Sequence, residues 1–295
     1  MNILITGSSG LVGTHLSDFL LAKGHHIYRM LRSASDDQPF YWLPAKGVIK
    51  YDDSITIDAV INLAGESIAD GRWSEERKKR ILESRVSGTR LLAETLAKLQ
   101  NKPKVFISGS AIGFYGETGS RIVDEDSMQG AGYLAEIAEL WEKAAKPAED
   151  AGIRTVNIMT GVVLSPNGGM LQKLLLPFKM GLGGIVGNGQ QYISWVSIND
   201  MAGMIQFLLE TDSISGAVNL VSTQPVTNYT FTKTLGSVLN RPTIFPLPAR
   251  VARLVFGEMA DALLLSSARV QPKRLLEAGY DFIDTDLEMT LRSLL

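Results

Sequence analysis

The 295-residue sequence contains no cysteine, which removes disulfides, thiolate metal ligands and cysteine nucleophiles together. Histidine is scarce, three in all, and two of these are adjacent (His25 and His26), which argues against a metal centre. No run of about 18 apolar residues occurs. The apolar stretch from Ile3 to Ile5 is too short for a signal-peptide core and is broken at Gly7. The expectation is a cytoplasmic protein without a membrane partner. An excess of one charge is lacking as well: 29 Lys and Arg against 31 Asp and Glu leave a net charge of −2. The basic residues do not gather into a stripe, so nucleic acid is not an expected partner.

What is present is enough apolar material for a sizeable core, 45% of residues against 20% charged, in a chain about as long as one large domain or one domain with a small appendage. Short apolar runs alternate with amphipathic stretches over roughly the first 220 residues. The pattern predicts strands at 2–6, 26–31, 47–51, 58–64, 103–108, 154–160 and near 217–221. Helices are expected at 11–23, 74–99, 131–151, 170–180 and 199–210. That alternation is the signature of an α/β fold, a doubly wound parallel sheet with helices on both faces. From residue 225 the character changes, with PVTNYTF, RPTIFPLPARV and VQPKRLLEAGYDF punctuating short helices with proline. This suits a small packing domain at 225–295 rather than more sheet.

The stretch ITGSSGLVG (5–13) carries the first functional signal. A buried strand runs into Gly7, Gly10 and Gly13 and then into a helix. Gly7 allows the tight turn, Gly10 allows backbone to approach a diphosphate, and Gly13 allows the helix to pack on the strand. The helix N-terminus adds unpaired N–H groups and a positive dipole. A second strand follows about twenty residues on, ending in RMLRS. An acidic residue at that tip would take an adenosine ribose hydroxyl, whereas arginine takes a 2′-phosphate through its planar fork. Arg32 stands at the tip, with Arg29 inside the strand, so NADP is favoured over NAD; Asp36 and Asp37 fall too far along the loop for the ribose.

Three motifs in order, TGSSGLVG, NLAG (62–65) and SGSAIGFYG (108–116), resemble the extended short-chain dehydrogenase/reductases, the superfamily of the nucleotide-sugar epimerases. Longer segments resemble its atypical branch, the epimerase family proteins: NLAGESIADGRWSEERKKRILESRVSGT (62–89), TGVVLSPNGGMLQKLLLPFKMGLGGIVGNGQQYISWVSIND (160–200) and NRPTIFPLPARVARLVFGEMA (240–260). The resemblance runs through nearly the whole chain. It implies a Rossmann-like domain over 1–224 and a smaller, mainly helical second lobe. That lobe combines 165–198 with 225–295 and closes over a small-molecule substrate. It also implies NADP contacts from Gly7, Ser9, Gly10, Leu11, Val12 and Gly13, from Leu63, Ala64 and Gly65, and from Val163 by main chain. A homodimer is implied in addition, but no particular substrate.

The superfamily moves protons with a tyrosine and a lysine four residues later, the cation lowering the phenol pKa. Here Tyr133 is followed four residues on by Ile137, and Lys143 and Lys146 lie about three turns along. The serine that orients the substrate oxygen is present as Ser110. On the helix from Ser74, residues Lys78, Ile81, Leu82, Arg85 and Thr89 share a face. Arg85 stands where ordinary members carry an active-site asparagine; it cannot act as a base but can pair with cofactor phosphate or a substrate carboxylate, and it is assigned to cofactor contact, against the plainer reading of a solvated helix face. Glu66 is a candidate for the nicotinamide ribose or an ordinary loop carboxylate, and Tyr115 reads as packing. Met159 replaces the branch's usual arginine, and Ser197 and Asn199 replace its histidine and first aspartate in the run from Trp195 to Asp200. Glycine-dense 180–191 reads as a flap over the cleft or a plain surface loop. Three functions stay open: an NADP(H)-dependent oxidoreductase acting on a small polar molecule, with Ser110 on the carbonyl; a catalytically silent NADP-binding module; and, last, a nucleotide-sugar epimerase without its base.

Overall fold

The computed structural model describes residues 1–32 and 38–295. Six strands build one sheet: β1 (Asn2–Thr6), β2 (His26–Met30), β3 (Ala59–Asn62), β4 (Val105–Ala111), β5 (Arg154–Thr160) and β6 (Gly216–Leu220). Their order is β6-β5-β4-β3-β1-β2, and every pairing is parallel. The central strands β1, β3 and β4 are buried on both sides because both sides are covered. Ile3, Ile5, Ile61 and Ile107 face one layer, while Leu4, Val60 and Phe106 face the other. A one-residue slip of β1 would exchange these sets, and with each buried Ile or Leu worth about 1.5–3 kcal/mol the register is strongly specified.

The first layer comprises α1 (Leu11–Ala22), which contributes Leu16 and Leu20, and α5 (Ile198–Glu210), which contributes Met201, Met204, Ile205 and Leu208. The second comprises α2 (Glu75–Lys98), through Leu92 and Leu96, and α3 (Tyr133–Asp150), through Ala145 and Ala148. Ser74 starts α2 by accepting a hydrogen bond from the Arg77 N–H at 3.2 Å, and Glu75 and Glu76 complement the dipole in the first turn.

The doubly wound expectation holds, with one change. Residues 47–51, expected in line with the other strands, form Val48–Tyr51 of an antiparallel hairpin with Phe40–Leu43, apart from the main sheet. Phe40 and Trp42 then cap the second core layer, so this pair shields the sheet face near β2 rather than extending it.

After β5 the chain makes α4 (Gly169–Lys179), then, beyond β6, α6 (Asn228–Val238), α7 (Ala249–Phe256), a π-helical turn at Ala260–Leu264, α8 (Lys273–Glu277) and α9 (Leu287–Leu294). Leu171 and Phe178 of α4, Phe231 and Leu235 of α6, and Leu287 and Leu291 of α9 share one smaller core. The last segment also returns to the main core. Leu275 packs there with Tyr280 and Phe282, and the Tyr280 hydroxyl donates to the buried Asp200 carboxylate at 2.6 Å. The Asp284 N–H donates to the other Asp200 oxygen at 3.2 Å. Among the described residues no helix is long and apolar enough to cross a membrane.

Candidate functional site

The strand order reverses at β1, which has β2 on one side and β3 on the other, and open α/β sheets bind ligands beyond the strand ends at such a point. The chain leaves β1 at Gly7 with φ +67°, a conformation that only glycine adopts readily. A Cβ at Gly7 would lie 2.7 Å from the Leu63 carbonyl carbon, so the turn is clamped to the loop after β3. At Gly13 a Cβ would come within 2.2 Å of the Gly7 carbonyl oxygen, which is how α1 starts so close to its strand. Gly10 differs. A Cβ there would meet only the Gly7 carbonyl oxygen, at 3.3 Å, and its outer side is open beside exposed Ser9. Gly10 begins α1 without a side-chain cap, and no acidic residue stands in the first turn. The N–H groups of that turn are thus left to an anion. A turn with no side chain on its ligand side and free amides fits a dinucleotide diphosphate.

Beneath this cradle runs a buried polar chain. Thr6 Oγ1 donates to Asn62 Oδ1 at 2.6 Å, Asn62 Nδ2 donates to Thr89 Oγ1 at 2.7 Å, and Trp141 Nε1 donates to the same hydroxyl at 2.9 Å. The Ala64 N–H donates to Thr6 Oγ1 at 3.3 Å. The network ties the loop Leu63 to Gly65 to both α2 and α3. Arg85 lies against Gly65, donates to the Glu66 and Ile81 carbonyls at 2.9 and 3.1 Å, and stacks over Trp141 with 5.0 Å to the ring centroid. Burial pushes its pKa down to about 10, which leaves it a cation at neutral pH.

A cleft of about 920 Å³ opens from this loop toward the C-terminal segment, and Val12, Leu63, Arg85 and Ser110 line it. Ser110, near the end of β4, donates its hydroxyl hydrogen to Glu142 Oε1 of α3 at 2.6 Å. Burial, reinforced by Glu139, raises the Glu142 pKa against the lowering effect of that hydrogen bond. Motif spacing alone misses Glu142. It occupies a helical stripe between buried Ala138 and Ala145, and a carboxylate in such a stripe is the available signal.

The remaining expected residues divide. Leu11 turns its side chain to Gly168. Val163 packs on the main core with Val12 and Leu63, while its neighbours Thr160, Gly161 and Val162 line the cleft. Arg32 stands exposed after β2; Asp36 and Asp37 lie outside the described residues. Glu66 faces Arg77 and Arg80 at 3.4 and 3.3 Å, as an ordinary loop carboxylate does. Tyr115 is packing, 1% exposed, with its hydroxyl donating to Asn219 at 3.0 Å. Tyr133 lines the cleft, but its hydroxyl donates to the Lys78 carbonyl at 2.7 Å, and burial raises its pKa. The run 180–191, for which a flap was one expectation, is fastened on several sides. The Gly187 N–H donates to the Leu247 carbonyl and the Leu247 N–H to the Ile185 carbonyl, and Gln191 Nε2 donates to the Val186 and Leu264 carbonyls at 3.0 and 2.9 Å.

Residues 3–220 match the model of the NAD dependent epimerase/dehydratase family. The chain belongs to that family. The match ends at β6, and residues 247–294, from just before α7 through α9, match a domain of unknown function, DUF1731. Two similar epimerase family proteins are MT2273 of Mycobacterium tuberculosis, 41% identical over 95% of this chain and 93% of its own, and YfhF of Bacillus subtilis, 37% identical over 100% and 98%. The crystal structure of human epimerase family protein SDR39U1 with NADPH is 34% identical over 100% of this chain and 99% of that one, with a TM-score of 0.91. The three sequence motifs fall within the epimerase/dehydratase match, and similarity to the epimerase family proteins runs along the whole chain.

Proposed function

We propose that this protein is an NADP(H)-dependent oxidoreductase that interconverts a carbonyl compound and its alcohol in the cleft beside Ser110. The observation that carries the reading is the Ser110–Glu142 pair, 2.6 Å apart, on a cleft that reaches Val12 of the first turn of α1 and Leu63 of the loop clamped to Gly7. The similar human protein solved with NADPH supports the choice of nucleotide. In this reading the first-turn amides of α1 hold the diphosphate, Arg32 takes the 2′-phosphate and Arg85 stiffens the loop at Gly65. NADPH, when bound, supplies a hydride from C4 of its nicotinamide.

The chain's own part is control of the substrate oxygen. With Glu142 ionised, the Ser110 hydrogen points at the carboxylate. With Glu142 protonated, its O–H donates to Ser110 Oγ and the Ser110 hydrogen turns to the substrate oxygen. Ser110 hands over that proton and draws one from Glu142, which reloads from solvent. A raised Glu142 pKa keeps the acid form populated to higher pH than an exposed glutamate would allow.

Tyr133 favours the second reading, a silent NADP-binding module: with its hydroxyl committed to a backbone carbonyl and its pKa raised, it does not replace the superfamily's proton carrier. The deciding experiment follows NADPH oxidation, and deuterium transfer from C4-deuterated NADPH, against a panel of aldehydes and ketones with wild type and Ser110→Ala. Transfer that falls at least about a hundredfold in Ser110→Ala, with NADPH affinity preserved, supports the oxidoreductase. Tight NADPH binding with no transfer to any carbonyl leaves the module.

A further inference from the structure

We infer that the part of the cleft beyond Ser110 takes an uncharged, predominantly apolar carbonyl compound or alcohol, and that DUF1731 supplies its far wall. The inference rests on the oxidoreductase reading for the identity of the reacting group, and on the cleft walls for everything else.

Those walls come from four places in the chain. Ile112 and Ile137 belong to the nucleotide-binding side, Phe178 to α4, Phe231 to α6, and Leu263 and Leu265 to the π-helical turn and its end. A π turn widens the helix by one residue and is frequent at functional sites. Here it lets residues 261–266 follow one another along the cavity. Gln191 fixes the turn from the opposite segment through the Leu264 carbonyl.

The charged side chains on the same walls, and the Asn228 carbonyl oxygen and Ser194 hydroxyl, are already engaged with the protein. Asn228 Oδ1 accepts from the Val186 N–H at 2.9 Å. Ser194 Oγ donates to the Ala268 carbonyl at 2.7 Å and accepts from the Val270 N–H at 2.9 Å. Glu117 accepts from the Gly119 and Ser267 N–H groups. Arg253 pairs with Asp261 at 2.9 Å, and Glu258 pairs with Lys78 of α2 at 2.5 Å. Among the described lining residues, three carboxylates (Glu117, Glu258 and Asp261) stand against two guanidiniums (Arg85 and Arg253), and both guanidiniums have protein partners.

A nucleoside diphosphate carries at least two negative charges that need unclaimed cations or amides, as the glycine cradle beside Val12 offers. Beyond Ser110 the lining offers an acidic balance and apolar surface. Matching chemistry is a carbonyl group at Ser110 with a hydrocarbon or aromatic body in the apolar pocket.

The test uses the full chain saturated with NADP⁺ and measures, by calorimetry, a series of straight-chain primary amides from propanamide to nonanamide as unreactive carbonyl ligands. UDP and UDP-glucose serve as charged competitors. NADPH oxidation by the matching 2-alkanones is followed in parallel. The expected result is affinity rising about fourfold per methylene, no competition by UDP or UDP-glucose, and a flattened series in Leu263→Asp with NADP⁺ affinity unchanged. Leu263→Ala, which adds no charge, should lower affinity for the longest amides only. An amide series flat with length, or UDP-glucose displacing the longest amide, overturns the inference. A steep binding series with no oxidation of NADPH by any ketone upholds the apolar site and sinks the oxidoreductase reading. Oxidation by short polar carbonyls with a flat series does the reverse.

Discussion

Replacing Thr89 by valine isolates the polar chain under the cofactor cradle. Thr89 is 1% exposed, and its hydroxyl oxygen accepts from both Asn62 Nδ2 and Trp141 Nε1. Valine has the same shape and nearly the same helix propensity, so neither a cavity nor a backbone effect enters. What changes is that two buried donors lose their acceptor at once. An unsatisfied buried donor costs about 1–3 kcal/mol, and partial relaxation of the Asn62 amide brings the sum to about 3 kcal/mol. Thr95→Val is the control: the Thr95 hydroxyl only donates to the Leu91 carbonyl one turn back, at 2.8 Å, and its loss should stay within about 0.5 kcal/mol. Urea unfolding monitored by fluorescence gives both values from the midpoints if the slopes agree. The same variant should weaken NADPH binding, because Asn62 and Thr6 hold the loop from Leu63. Coincident midpoints for wild type, Thr89→Val and Thr95→Val would refute the argument that this hydroxyl joins two layers.

Three other perturbations address the site directly. Gly10→Ala brings its methyl to 3.3 Å from the Gly7 carbonyl oxygen, a tight contact but the sole one within 4 Å, so stability should fall by about 1 kcal/mol, while calorimetry should show NADPH affinity reduced at least about tenfold. Arg32→Ala should lose about 10–100-fold in NADPH affinity with NADH affinity unchanged, the range of one charged hydrogen-bond partner; an unaltered preference would remove Arg32 from the nucleotide. Glu142→Gln tests the proton on the carboxyl. Its pKa is raised above the ordinary 4.5 in the folded protein, so the folded state binds the extra proton, and the associated stability is full below that ordinary value and lost as pH rises through the folded one. The wild-type melting temperature relative to Glu142→Gln should therefore decline from acid toward neutral pH, and a constant difference would contradict the assignment.

Strand and helix positions were legible where one short-range signal sufficed. The buried runs of β1, β3, β4 and β5, and the glycine spacing before α1, each imply their own structure, and the switch point follows from them. The hairpin was half legible: Val48–Tyr51 carries a strand-like run, but its partner Phe40–Leu43 sits beside a loop and its aromatic residues show no alternation to set it apart. Its separation from the sheet depends on Trp42 packing against α2 at Gly88, a contact nearly fifty residues away in the chain. In the site, Ser110 could be found by motif, but its partner could not. Glu142 is 32 residues later and meets Ser110 only because α3 lies across β4 with Trp141 against Gly109. Arg85 was identifiable as a helix-face cation; its stacking on Trp141 depends on how α2 and α3 pack.

The fastening of Asp200 to Tyr280 and Asp284 has a bearing on biosynthesis. Helix α5 is synthesised about two-thirds of the way along the chain, yet its buried carboxylate receives its phenol donor from a residue 80 positions later. A growing chain that has released α5 from the ribosome thus holds an acid whose permanent partner has not been made. The Rossmann half should stay loosened on that face until translation is almost over, and fragments ending before Tyr280 should be digested by protease far faster than the finished protein.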